Sequence, residues 1–253
     1  METAPNTRRN AAESIRSAVA QVTALREAAH AQPGLDAAVL EVKRLQARRF
    51  SVTYADLMAS GPYQAAARFF LEELYGDKNY AERDAQFSRI AGALQKLFPD
   101  HVVGTAVALA ELHALTEQLD HAMGQLWLDT APLEPAARYV RAWRAVGRRA
   151  DREQQLSSVV AMGRELDRLT RAPGLRMMLK MMRAPANAAG MGSLQRFLES
   201  GFDTFAGMAK QKGATETFLA MIVERETQWI GQLFEADAVA CETALRQSLG
   251  QAR

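Results

Sequence analysis

Glu111-Leu-His-Ala-Leu-Thr-Glu-Gln-Leu-Asp-His-Ala-Met123 has apolar residues on a helical period. Leu109, Leu112, Leu115, Leu119, Met123 and Leu126 follow one another in steps of three and four, which marks one apolar face of an α-helix. Pro99 opens this helix, and the pattern carries it to about Asp129. His113, Glu117 and His121 follow at i, i+4 and i+8 on a different arc. That spacing suits two imidazoles and a carboxylate around one metal ion, and it also suits an ordinary solvated flank.

Outward from this helix the same period recurs and strand alternation is nearly absent. The reading is an all-α, multi-helix bundle of about eight to ten helices without a sheet. Residues 1–10 read as a disordered tail, and Ile15, Val19, Val22 and Leu25 then mark a helix face. Gln32-Pro33-Gly34 stops that helix, and a second begins at Leu35 and breaks or bends near residues 51–53. Pro62 starts a helix that runs to Tyr75, with Gly76 as the left-handed residue that ends it. Asn79-Tyr80-Ala81-Glu82 reads as a capping box for a helix over 80–97. Pro132 and Pro135 punctuate the chain between an N-terminal half, 11–130, and a C-terminal half, 135–253. The two halves are expected to pack as one globular unit. Helices follow at about 135–150, 152–171 and 175–183, then a loop over 185–192, then helices at 193–211, 214–235 and from 237.

Composition excludes several classes. The chain of 253 residues is 48% hydrophobic and 24% charged, which is neither disordered nor collagenous. Its single cysteine, Cys241, leaves no disulfide framework and no Cys-rich zinc site. The first residues lack an apolar core, so no secretory signal is expected, and no run approaches the roughly 18 apolar residues of a spanning helix. A cytoplasmic protein is the resulting expectation. Without strands, Gly-rich phosphate loops have no context, and no Gly-x-Ser-x-Gly elbow occurs. Of the elements of a ferritin-like di-iron site, only Glu27-Ala-Ala-His30 is present. No cofactor is predicted, with a metal or haem site kept as the alternative.

Net charge is +2, yet the span Arg138–Arg183 holds 12 basic residues against 4 acidic. Arg138, Arg141, Arg144, Arg148, Arg149 and Arg152 share one side of the helix near 135–150, and Tyr139 and Trp143 share the other. With the aromatics on the opposite face, the pattern argues against nucleic acid. Leu175-Arg-Met-Met-Leu-Lys-Met-Met-Arg183 has a narrow basic strip and reads as core packing in preference to an adaptable binding surface.

Two charges break the apolar arcs. Arg83 projects among Phe87, Ile90 and Leu94, and Glu226 falls amid Phe218, Leu219, Ile222 and Ile230. A charge buried there must be paired. Glu226, Glu72 and Glu73 are the candidate partners of Arg83, while Arg68 and Glu72, at i,i+4, can satisfy each other. Arg68, Glu72, Tyr75, Arg83 and Glu226 are therefore the candidate binding residues.

Arg48-Arg-Phe, Thr53-Tyr-Ala-Asp-Leu, Arg68-Phe-Phe-Leu-Glu-Glu-Leu-Tyr-Gly, Arg83-Asp-Ala-Gln-Phe, Leu112-His-Ala-Leu and Gln195-Arg-Phe-Leu-Glu-Ser-Gly-Phe resemble an uncharacterised family of helical proteins from proteobacteria, a domain of unknown function. The likeness spans about residues 35–235. It implies a bacterial cytoplasmic protein and assigns no catalytic residue. The leading functional reading is a non-enzymatic binding or protein-interaction protein, its partner another protein or a small apolar ligand. One alternative is a metal- or haem-dependent enzyme using His113, Glu117 and His121. Another is a carrier of an apolar small molecule, which needs a pocket of ~300 Å³ or more.

Overall fold

A computed structural model describes residues 4–59, 61–74, 76, 80–130 and 133–251. The chain forms α1 (Ala4–Ala31), α2 (Leu35–Thr53), α3 (Ala55–Ala59), α4 (Gln64–Phe69), a π-helical turn (Phe70–Leu74), α5 (Ala81–Leu97) and α6 (Asp100–Asp129). It continues with α7 (Pro135–Val146), α8 (Arg149–Thr170), α9 (Leu175–Met181), α10 (Arg183–Ala188), α11 (Gly192–Met208), α12 (Ala214–Glu235) and α13 (Ala238–Gln251). The described residues contain helices and no strand.

The helices outnumber the expected eight to ten because several breaks make short pieces. Two further expectations are corrected. α1 begins at Ala4, so residues 4–10 are helical and not a disordered tail. Residues 185–188 of the expected loop over 185–192 belong to α10, whose Pro185 stands in the first turn, where its missing N–H costs no intrahelical bond.

α6 organises the bundle. It packs against α1, α2, α7 and α8. Leu112, Leu119 and Met123 of its apolar stripe are buried, and so are Ala110, Ala114, Glu117, Asp120 and Gly124 on its other sides. A helix covered on several sides carries its flank charges into the interior. The closest approach is at Gly124, where a Cβ would lie 2.5 Å from Val39 Cγ2 and 3.2 Å from the Val39 backbone. Only glycine lets α2 and α6 come together there.

Three apolar clusters hold the fold. One joins Leu35, Val42 and Leu45 to Met123, Trp127, Tyr139, Trp143, Leu233 and Leu245. A second gathers Phe50, Tyr54, Phe70, Phe205, Phe218 and Ile222. The third joins Ile15 and Val22 to Phe87, Leu94, Ala110 and Leu194. Each draws residues from before the end of α6 and from beyond the start of α7. Each fully buried Phe stabilises the fold by about 1.5–3 kcal/mol, and Phe50, Phe205 and Phe218 are fully buried.

The arginines of α7 and of the start of α8 are spent largely on internal contacts. Arg138 Nη2 donates to the Trp127 carbonyl at 2.5 Å, with its guanidinium 4.1 Å from the Trp127 ring centre. Arg144 donates to the carbonyls of Leu233 and Ala236, at 2.8 and 2.6 Å, and so closes the C-terminal end of α12. Arg152 is buried 4.1 Å over the Trp143 ring. Cys241 is buried under the same region, and desolvation raises its thiol pKa.

Candidate functional site

Two adjoining chambers lie between the helices. The first is polar, with a volume of about 80 Å³. α2 turns Lys43, Gln46 and Arg49 toward it at steps of three. α6 contributes His113, Glu117 and Asp120, α8 contributes Arg152, and α12 contributes Glu226. Lys43 Nζ donates to Glu117 Oε1 at 2.5 Å, and Gln46 Nε2 to Asp120 Oδ1 at 3.0 Å. Arg49 meets Glu226 through two parallel hydrogen bonds, and the Tyr54 hydroxyl donates to Glu226 Oε1 at 2.9 Å. Burial pushes the Asp120 carboxyl above the ordinary carboxylate range, helped by Glu117 and opposed by Lys43 and Arg152. Burial also raises the Tyr139 phenol to about 12, so it remains a neutral hydroxyl in the chamber wall.

Asp84 is the hub at one end. Its Oδ2 accepts from Arg26 Nη2 at 2.7 Å and lies 3.0 Å from His113 Nε2, joining α1, α5 and α6. Burial works against its charge, but the hydrogen bond and charge of His113, with those of Arg26, hold Asp84 below its ordinary value of 3.8.

Arg83 enters the polar chamber beside this hub. Its guanidinium carbon stands 4.0 Å from the Tyr80 ring centre and 4.6 Å from that of Phe197. Its carboxylate contacts are long: Glu73 Oε2 at 3.4 Å and Asp84 Oδ1 at 3.9 Å. Desolvation is the main influence on this group and lowers its pKa. The π-helical turn sets the surroundings. Its wider winding breaks the i,i+4 geometry, and Arg68 is exposed without an ion pair to Glu72 among the described residues. The Tyr80 hydroxyl donates to the Glu72 carbonyl at 2.8 Å. Gly76 is not left-handed. A Cβ there would lie 2.6 Å from the Glu72 carbonyl oxygen and 2.8 Å from Tyr80 Oη, so it is needed for close approach.

The second chamber is apolar, about 240 Å³, and is lined by Phe69, Leu94, Leu166, Leu179, Leu198 and Phe202 among others. Leu109, Leu112, Val159 and Phe197 wall both chambers. Toward solvent its wall is α9 and α10, through Leu175, Leu179, Met182 and Ala186. α9 has no buried residue, and Met177 and Met181 are 66% and 71% exposed. The methionine helix is therefore a thin outer wall and not core.

Of the candidate residues, the fold brings Arg83 and Glu226 to one chamber, each with a different partner: Arg83 has Glu73 and Glu226 has Arg49. Tyr75 lies outside the described residues. His113, Glu117 and His121 go to separate places. His113 meets Asp84, Glu117 meets Lys43, and half-buried His121 is not among the residues lining the polar chamber. No group of three or more His, Cys, Asp or Glu among the described residues is placed to hold a metal ion. Sequence reading missed Arg49, Lys43, Asp84 and Asp120. For Arg49 a signal existed, since it continues the α2 arc of Val42 and Leu45.

The architecture is that of an all-helical protein with paired polar and apolar interior chambers. The chain belongs to the family described as a domain of unknown function, DUF8198, whose profile matches residues 25–240. No curated protein and no solved structure matches it. No described helix is long and apolar enough to cross a membrane.

Proposed function

We propose that this chain is a non-enzymatic binding protein for a small amphipathic molecule, with an apolar body in the 240 Å³ chamber and an anionic head on Arg83. The observation that carries the reading is the position of Phe197. This ring walls both chambers, and the Arg83 guanidinium lies against it at their junction. Five N–H donors fixed on aromatic faces, with only long carboxylate contacts, suit a ligand carboxylate or similar anion. The buried Trp143 indole N–H in the polar chamber has no acceptor among the described residues and offers a second donor.

Size sets the limits of the ligand. The apolar chamber is larger than the ~150 Å³ cavities that hold benzene-sized molecules. Alone it falls short of the ~300 Å³ of ordinary ligand sites, and the polar chamber across the shared wall makes up the difference. A bound occupant stabilises the fold by mass action.

Titration with a fluorescent long-chain carboxylate tests the reading. One-to-one binding is expected, with Arg83→Gln weakening the carboxylate about tenfold or more while sparing the neutral alcohol of the same chain. Ala106→Phe, directed into the apolar chamber, should abolish both. Absence of binding, or binding indifferent to Ala106→Phe, overturns it. Native mass spectrometry of protein purified from its own host would identify the occupant.

A further inference from the structure

The outer wall of the apolar chamber has a composition of its own. From Arg168 through Leu198 the chain has no Asp or Glu, while Arg168, Arg171, Arg176, Lys180, Arg183 and Arg196 all lie within it. All six are exposed. The acids that approach them come from elsewhere on the chain. Arg168 pairs with Glu165 at 2.5 Å, Arg171 with Asp167 at 3.0 Å, Arg176 with Asp203 at 2.9 Å and Arg183 with Glu199 at 2.6 Å; each of these arginines is more than half exposed, and such surface pairs are readily exchanged. Lys180 has no ion pair among the described residues. Between these cations stand Met177 and Met181, the two most exposed large apolar side chains of the wall. On its inner side, the same short helix presents Leu175 and Leu179 to the chamber. Met182 lines the chamber and is also 37% exposed.

We infer that the α9–α10 face docks on an anionic lipid bilayer, with Met177 and Met181 seated at the boundary between headgroups and acyl chains and the surrounding cations on lipid phosphates. Flexible thioethers ringed by Lys and Arg are the chemistry of an interfacial contact, in which shallow apolar burial and attraction to anionic lipid act together. Charge sign selects this occupant. With Arg168, Arg171, Arg176 and Arg183 set against four carboxylates, Lys180 and Arg196 leave the face with a net positive charge, which an anionic surface attracts and a zwitterionic one does not. The geometry adds a use. Only this thin wall separates the bilayer from the apolar chamber, so an amphipathic ligand could pass between them without crossing water. That exchange role rests on the binding reading above, whereas the docking is tested by itself.

The experiment is flotation of the full chain with phosphatidylglycerol/phosphatidylcholine vesicles and with phosphatidylcholine vesicles alone. Wild type should float with the anionic vesicles at low salt, release at high salt, and ignore the zwitterionic ones. Met177→Ser/Met181→Ser and Arg176→Glu/Lys180→Glu should each weaken flotation by roughly tenfold. These residues are exposed, and unchanged circular dichroism and melting temperature would confirm intact folding. The fluorescent carboxylate is titrated into each variant in parallel, without vesicles. Failure of wild type to float with anionic vesicles, or flotation unaffected by both variants, overturns the docking even when the probe binds. Flotation through this face without probe binding sustains the docking and overturns the binding reading.

Discussion

Arg49 and Glu226 lie 177 positions apart in sequence and meet in the interior with two hydrogen bonds, Nη1 to Oε1 at 3.1 Å and Nη2 to Oε2 at 2.8 Å. Both side chains are less than a tenth exposed. Removing one partner leaves a buried charge, so Arg49→Met should cost about 3–5 kcal/mol, and Arg49→Met/Glu226→Leu should recover most of it. Urea denaturation of the three proteins gives the comparison. Equal losses in the single and double variants would show that packing, not charge, governs this position.

Asp84 predicts an acid limit. Its folded pKa is below its ordinary value of 3.8, so its contribution to stability is complete above that value. The contribution is lost as pH falls through the lower, folded value. Melting temperature should therefore drop on acidification below pH 3.8, and Asp84→Asn should be less stable at neutral pH with a shallower acid slope. A scan of melting temperature against pH checks both.

Asp120 carries the opposite sign. Burial raises its pKa, so the fold favours the protonated form and loses stability as pH rises through the unfolded value and then the folded one. Asp120→Asn keeps the shape and an acceptor for Gln46 without the ionisation. Melting temperature at neutral pH should hold or rise in this variant. A fall of several degrees would mean that the carboxylate charge is needed by Lys43 or Arg152.

The crossing of α2 and α6 is tested by Gly124→Ala. The added methyl would meet both the side chain and backbone of Val39, and overpacking of this kind costs about 1–3 kcal/mol. Val39→Ala in the same chain should return part of the loss, measured by thermal unfolding.

Much of the helical pattern was legible because apolar residues repeat at three and four. Glu226 was legible as a buried charge because it interrupts such an arc. The hidden parts share a physical cause. Glu117, with His113 and His121, reads as a metal-spaced or solvated flank because a periodic stripe reports one covered face, and α6 is covered on several. Arg68 and Glu72 read as a self-sufficient pair because the spacing rule assumes α winding, which the turn at Phe70–Leu74 lacks. The methionines of α9 read as core because thioethers usually fill gaps, and nothing local reveals that this helix is the outermost layer. Chamber formation depends on how distant helices meet, which no single window of sequence contains.

The makeup of the three clusters bears on how the chain is made. One cluster needs Leu233 and Leu245, another Phe205 and Phe218, and the third Leu194. A nascent chain emerging in order has none of these when α6 is complete, so no cluster closes until α11 appears, and the last waits for α13. Through most of its synthesis the protein carries the uncovered apolar sides of α2 and α6, together with an Arg49 whose carboxylate has yet to be translated. Folding is in this sense a late event, completed from the C-terminal end, and the growing chain is the form most exposed to aggregation and most dependent on chaperones.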